Sequence, residues 1–149
     1  ENVDFARAGT LNFEIVTLLS TLPFYQSAPP ISLGIEWINE HVLPLLEGDH
    51  AENILATFTE HAAFQIAEIF NHFKLKNVLF TGGGTYNSYL IERIKNKTST
   101  AIIVPEKELI DFKEALIFAL MGTLRINNDI NILSSATGSS ADHCSGILI

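Results

Sequence analysis

Asn77-Val78-Leu79-Phe80-Thr81 runs directly into Gly82-Gly83-Gly84-Thr85-Tyr86-Asn87. The first five residues form a short apolar run of the kind a buried strand requires. Three successive glycines then strip the turn of side chains and free its backbone. Beyond them, Tyr89, Leu90, Ile91 and Ile94 mark a helix to about Asn96. Ala101 to Val104 is a second apolar run, stopped by Pro105. Strand, helix and strand over residues 77–104 imply a parallel pair with a right-handed crossover. The fold class that follows is α/β.

Upstream of that unit, Asp49 opens the strongest helical signal in the chain. Leu55, Phe58, Ala62, Ile66, Ile69 and Phe73 recur at steps of three and four, predicting one buried stripe. Thr10 is placed to cap a helix carrying Leu11, Ile15, Leu18, Leu19 and Leu22, ended by Pro23. Phe24 to Pro30 reads as a loop held extended by Pro29-Pro30. Ser32 then caps a short helix with Ile35, Trp37, Ile38 and Val42. Glu1 to Gly9 shows no clear periodicity and no initiator methionine, so the chain reads as cut from something longer. Downstream, Asp111 to Ile126 is apolar almost all round and is expected to be central. Short strand candidates remain at residues 130–133 and 146–149. Two or three short strands among several helices make only a small partial sheet, to be completed by residues outside the chain.

The 149 residues fit a single domain, residues 1–149. With 47% hydrophobic and 17% charged residues, the composition excludes a disordered chain. The longest strongly apolar stretch, residues 115–122, is too short for a bilayer, which takes about 20 residues, so no membrane partner is expected. The start carries no signal-peptide pattern. A single cysteine, Cys144, excludes an internal disulfide and a cysteine zinc site, and a reducing, cytoplasmic location is expected. The net charge of −8 is uneven: ten acids and one base give −9 over residues 1–73, and seven acids and eight bases give +1 over residues 74–149. An acidic half argues against nucleic acid as a partner. The near-neutral half is where an anionic ligand is tolerated, although a solvated acidic helix face accounts for the asymmetry equally.

Gly82, Gly83, Gly84 and Asn87 are the candidate nucleotide contacts. A bare backbone lets a ligand approach, a helix amino terminus offers free N–H groups, and ligands of open α/β sheets bind at the carboxyl ends of strands. The spacing is neither a Walker loop nor the dinucleotide fingerprint. A plain tight turn, with Thr85 or Asn87 as helix cap, explains the same residues. Asp111 and Glu114 have capping-box spacing; alternatively Glu114 accepts from a ligand hydroxyl. Ser134 to Ser140 is an anion-cupping loop or a surface loop. The five histidines show no metal-ligand spacing, so no metal site is expected. Cys144 beside His143 lacks the strand–helix elbow of a nucleophile.

Four separated blocks resemble the anhydro-N-acetylmuramic acid kinase family. Pro29-Pro30-Ile31-Ser32-Leu33-Gly34-Ile35-Glu36-Trp37 is similar to its Pro-Lys-Ser-x-Gly-x-Glu block. Leu79 to Asn87 matches its Gly-Gly-Gly-x-x-Asn block, and Ile110 to Ala119 its Asp-x-x-Glu-Ala-x-x-Phe-Ala block. Ala136-Thr137-Gly138 with Asp142-His143 matches the closing segment. The resemblance implies a ribonuclease-H-like, carboxyl-terminal lobe of the actin/sugar-kinase ATPase superfamily. It implies ATP and Mg2+ as cofactors, a small sugar substrate, a homodimer, and hydrolytic opening of 1,6-anhydro-N-acetylmuramic acid with phosphorylation of its 6-oxygen. Under it Gly82, Gly83, Gly84 and Asn87 meet the nucleotide, Glu114 the sugar, and Thr137 and Gly138 the cleft rim. The catalytic aspartate falls in the amino-terminal lobe, which has no counterpart here, so this lobe alone is expected to be inactive. The family's lysine is replaced by Ile31, and the basic residue that often precedes its glutamate by Ile35. Those losses keep two alternatives open: a non-catalytic binding or dimerisation module, and a lobe of a different sugar kinase.

Overall fold

The computed structural model describes residues 2–27 and 32–148. Pro29, Pro30 and Ile31 of the first block lie outside them. The chain divides into two units, residues 1–80 with 84–104, and residues 81–83 with 105–149.

The first unit contains α1 (Asn2–Ala8), α2 (Phe13–Ser20), α3 (Pro23–Gln26), α4 (Ile35–His41), α5 (Leu43–Leu46), α6 (Ala51–His72), β1 (Asn77–Leu79), α7 (Ser88–Lys95) and β2 (Ala101–Ile103). Helices α1, α2 and α7 pack against α6. The buried face of α6 is not the expected stripe. It consists of Ala56, Thr57, Glu60, His61, Ala63, Ala67 and Phe70, while Leu55, Phe58, Ile69 and Phe73 are exposed. Small residues win because neighbouring helices come close. A Cβ on Gly9 would stand 2.1 Å from the Glu52 carbonyl oxygen, which shows how tightly the chain after α1 lies on the α6 backbone.

Glu60 is buried on that face and accepts from Arg93 Nε at 2.5 Å and from Lys97 Nζ, tying α6 to α7 and the loop after it. Burial pushes its carboxyl up, but the Arg93 and Lys97 hydrogen bonds outweigh this and hold it below the usual carboxylate range. One apolar cluster joins Leu19, Val42 and Leu46 with Trp37 and Ile54. Another joins Ala63, Phe70 and Ile94 with Val78, Phe80 and Ile102, seating the strands on α6 and α7.

The two strands pair in parallel, with Asn77 opposite Ala101, Val78 opposite Ile102 and Leu79 opposite Ile103. The parallel pair is as expected, but its full burial is not. Val78 and Ile102 turn into the cluster, while Leu79 and Ile103 alternate outward at 54% and 48% exposure.

Three local expectations also change. Residues 2–8 are helical because α1 is held by packing, with Ala6 buried. Asn12, not Thr10, caps α2, its Oδ1 accepting from Ile15 N, and Thr10 N donates to Asn53 Oδ1 instead. Residues 23–26, expected in a loop, form the short α3, which the fixed φ of Pro23 suits at the first position.

The second unit contains α8 (Lys107–Ile126) and α9 (Ser134–Thr137). Helix α8 begins one turn before Asp111, with Glu106 at the N-cap, so Asp111 and Glu114 form no capping box. Asp111 instead pairs with Lys107 one turn away. Nor is α8 central: Ile110 alone is buried along it among the described residues, and Phe112 and Leu116 are 65% and 61% exposed. An all-round apolar helix needs cover on several sides, and the second unit supplies little. Of the late strand candidates, Ile132 makes an isolated antiparallel bridge to His143 and residues 146–148 form no strand.

Candidate functional site

The strand β1 leads through Phe80 and Thr81 into Gly82, whose φ of +89° is a left-handed conformation that favours glycine. A Cβ at Gly82, Gly83 or Gly84 would meet nothing within 4 Å, so the glycines are not needed to clear neighbours within the chain. Gly83–Tyr86 coil into a short 3-10 turn, and Asn87 begins α7. Asn87 Oδ1 accepts from Leu90 N at 3.0 Å, so the capping role is real, and Nδ2 is the end that can serve a ligand.

Thr85 is 8% exposed and its Oγ1 has no partner among the described residues. It lines a cleft of about 430 Å³ in the first unit with Ser88, Ile91, Lys95 and Val104, at the carboxyl ends of both strands.

Gly82 and Gly83 belong to the second unit with Glu114, Thr137 and Gly138, whereas Gly84 and Asn87 belong to the first. Glu114 is exposed on α8. Thr137 ends α9 and its Oγ1 donates to Leu133 O at 2.9 Å. Gly138 closes that helix at φ +73°, donating to Ser134 O at 2.8 Å. Asp142 Oδ1 accepts from Ser134 Oγ and Ser134 N, which hold its carboxyl below the usual range. The closing segment is therefore a folded turn, with Ser134 and Asp142 as its clasp. Sequence reasoning missed Lys113, whose Nζ donates to Thr81 Oγ1 at 2.6 Å within the second unit. No periodicity marks it, because an isolated lysine on a helix reads as a solvated residue.

Other candidates fall elsewhere. Cys144 Sγ lies 3.7 Å from Arg125 Nη1, while His143 Nδ1 sits 3.0 Å from the Ala141 carbonyl, so the two make no nucleophile–base pair. Among the described residues no three His, Cys, Asp or Glu side chains gather as metal ligands, and no helix is long and apolar enough to cross a membrane. Ile35 is exposed at the start of α4.

A two-stranded parallel sheet among many helices defines a helix-rich α/β protein. The comparisons narrow that class. The anhydro-N-acetylmuramic acid kinase family profile matches residues 1–149, and the chain belongs to that family. It is 31% identical to the anhydro-N-acetylmuramic acid kinase of Francisella tularensis subsp. novicida, over 93% of this chain and 39% of that protein. The enzyme of the same name from Bacillus cereus is 30% identical over 93% of the chain and 40% of its own length. That from Caldanaerobacter subterraneus is 26% identical over 91% and 38%. The chain thus spans about 40% of the relatives it matches.

Proposed function

We propose that the chain is the carboxyl-terminal lobe of an ATP- and Mg2+-dependent kinase acting on 1,6-anhydro-N-acetylmuramic acid. Water adds to the anomeric carbon, the bond to the bridging oxygen breaks, and the 6-oxygen receives the γ-phosphoryl group of ATP. The products are ADP and N-acetylmuramic acid 6-phosphate, an intermediate of cell-wall recycling. In this reading residues 1–149 act as one ribonuclease-H-like lobe of a cytoplasmic homodimer. Gly82, Gly83 and Gly84 admit the nucleotide, and Asn87 donates to it through Nδ2. Glu114 accepts from a sugar hydroxyl, and Thr137 with Gly138 forms the rim. The phosphate loop and the water-activating aspartate come from the preceding lobe. Phosphoryl transfer needs groups that converge on the transferred phosphate, so this lobe alone is inactive.

The observation that carries the reading is the open turn. Three glycines stand together where side chains would fit, and two of them do not need glycine's backbone freedom, since only Gly82 has a positive φ. Steric demand within the chain does not account for Gly83 and Gly84; a ligand pressed against the backbone does.

Gly83→Val tests this, because a Cβ at Gly83 meets nothing within 4 Å and Gly83 has no positive φ. Calorimetric titration with Mg-ATP is expected to show at least a tenfold loss of affinity with unchanged melting. Unchanged affinity refutes the assignment. For the reaction, residues 1–149 are joined to the preceding portion of the Francisella relative. A chimera that melts cooperatively yet leaves the anhydro sugar unphosphorylated refutes the substrate.

A further inference from the structure

Lys113 is a lysine held by a neutral side-chain oxygen. It is half-buried on α8, and no carboxylate lies within 4 Å of its ammonium among the described residues. Its ammonium donates to the Thr81 hydroxyl at 2.6 Å, a neutral oxygen on the residue immediately before Gly82. A hydroxyl offers a lysine geometry without compensating charge, so the cation is held in place with its charge unspent. The residues it is held beside, Gly82 and Gly83, lie in the same unit and present backbone with open space where side chains would be. The neighbouring acid, Asp111, is occupied by Lys107, and Glu114 is exposed on the same helix.

From this juxtaposition we propose that Lys113, positioned by Thr81, binds the phosphate groups of the ligand that enters at the glycine turn. The proposal deepens the nucleotide reading above and rests on it. A triphosphate needs positive charge close by, and Lys113 supplies it from α8. Thr81 fixes the lysine's long stem, so that less rotamer freedom is lost when the anion arrives.

The test separates phosphate from nucleoside. Mg-ATP and adenosine are titrated calorimetrically into the unsubstituted chain and into Lys113→Gln, Lys113→Arg and Thr81→Val. Lys113→Gln is expected to weaken Mg-ATP about tenfold and adenosine less than twofold, with Lys113→Arg keeping most of the ATP affinity. Thr81→Val is expected to fall in between, since it frees the ammonium without removing it. Equal losses for ATP and adenosine, or no loss for either, overturn the role of Lys113 while leaving the nucleotide reading intact. Should the unsubstituted chain bind neither compound, the same titrations are made on its chimera with the preceding portion of the Francisella relative, and failure there overturns the nucleotide reading and the role of Lys113 with it. Thermal melts of each variant confirm that the fold is kept.

Discussion

His61 lies on the buried face of α6 at 2% exposure, edge-on to the Tyr25 ring with 4.9 Å between centroids. Its Nδ1 is 3.3 Å from Ser20 Oγ, and its Nε2 has no partner among the described residues. Ser20 commits its one proton to Val16 O at 2.8 Å, so the imidazole proton must sit on Nδ1 and be donated to Ser20 Oγ. A second proton, on Nε2, would find no acceptor. Burial accordingly pushes the pKa down to about 4 from its ordinary 6.5. Between those values the unfolded chain binds a proton that the folded chain refuses. Stability is therefore intact above pH 6.5 and lost as pH falls toward 4. From pH 7 to pH 5 the loss is about 2 kcal/mol. Urea unfolding followed by Trp37 emission measures it, because Trp37 packs on the Leu19 cluster of the same unit. A slope of about 2 kcal/mol per molar urea turns that loss into a midpoint shift of about 1 M. Glu60, Asp49 and Asp142 have lowered pKa values, and their contributions fade only as pH falls through and below the carboxylate range. The comparison is therefore made at pH 5 and above. In His61→Leu the midpoint should change far less between pH 7 and pH 5. An equal shift in His61→Leu, or none in the unsubstituted chain, would refute the argument.

Glu60→Ala strands Arg93 and Lys97 beside a buried void and should cost about 3 kcal/mol in the same urea assay at pH 7; a loss under about 1 kcal/mol would mean that the pair is solvent-screened. Gly9→Ala puts a methyl group against the Glu52 carbonyl and should cost about 1–3 kcal/mol, read as a lowered melting temperature. Thr85→Val removes a buried hydroxyl that lacks a partner among the described residues and should raise stability by about 1 kcal/mol, whereas a lowered melting temperature would point to an internal acceptor. Glu114→Gln, on an exposed position, should change stability by less than about 0.5 kcal/mol while weakening binding of the anhydro sugar; intact sugar binding would remove Glu114 from the site.

The strand–turn–helix–strand unit was legible because its signals are local. Apolar runs, three glycines, an asparagine cap and Pro105 each act within a few residues of their own position. The α6 face was not legible, since which side is buried depends on what arrives from α1, α2 and α7. Periodicity weighs large apolar residues, whereas close helix packing selected Ala56, Ala63 and Ala67 and buried the polar Glu60 and His61. Helix α1 carries almost no apolar pattern and depends on its fit against α6. The capping-box spacing at Asp111 and Glu114 was satisfied by chance inside a helix already under way from Lys107. The sequence left the cap open between Thr85 and Asn87, and the structure assigns it to Asn87. Lys113 was not legible, because only the third dimension brings its ammonium to Thr81.

The outward faces that sequence periodicity marked as core bear on the proposed chemistry. Leu79 and Ile103 in the first unit, and Phe112 and Leu116 in the second, are large apolar groups that the chain itself leaves exposed. Covering the exposed half or more of each such side chain would be worth about 1–2 kcal/mol. The chain spans about 40% of the relatives it matches, and in the proposed reading the preceding lobe brings the phosphate loop and the catalytic aspartate. If the polypeptide that covers these faces is also the one that carries those groups, assembly and catalysis share one driving force. Covering the apolar surface would then bring the phosphate loop to the glycine turn. A kinase built this way gains protection as well as activity, because a lobe without its partner has neither the groups to transfer phosphate nor a surface suited to water.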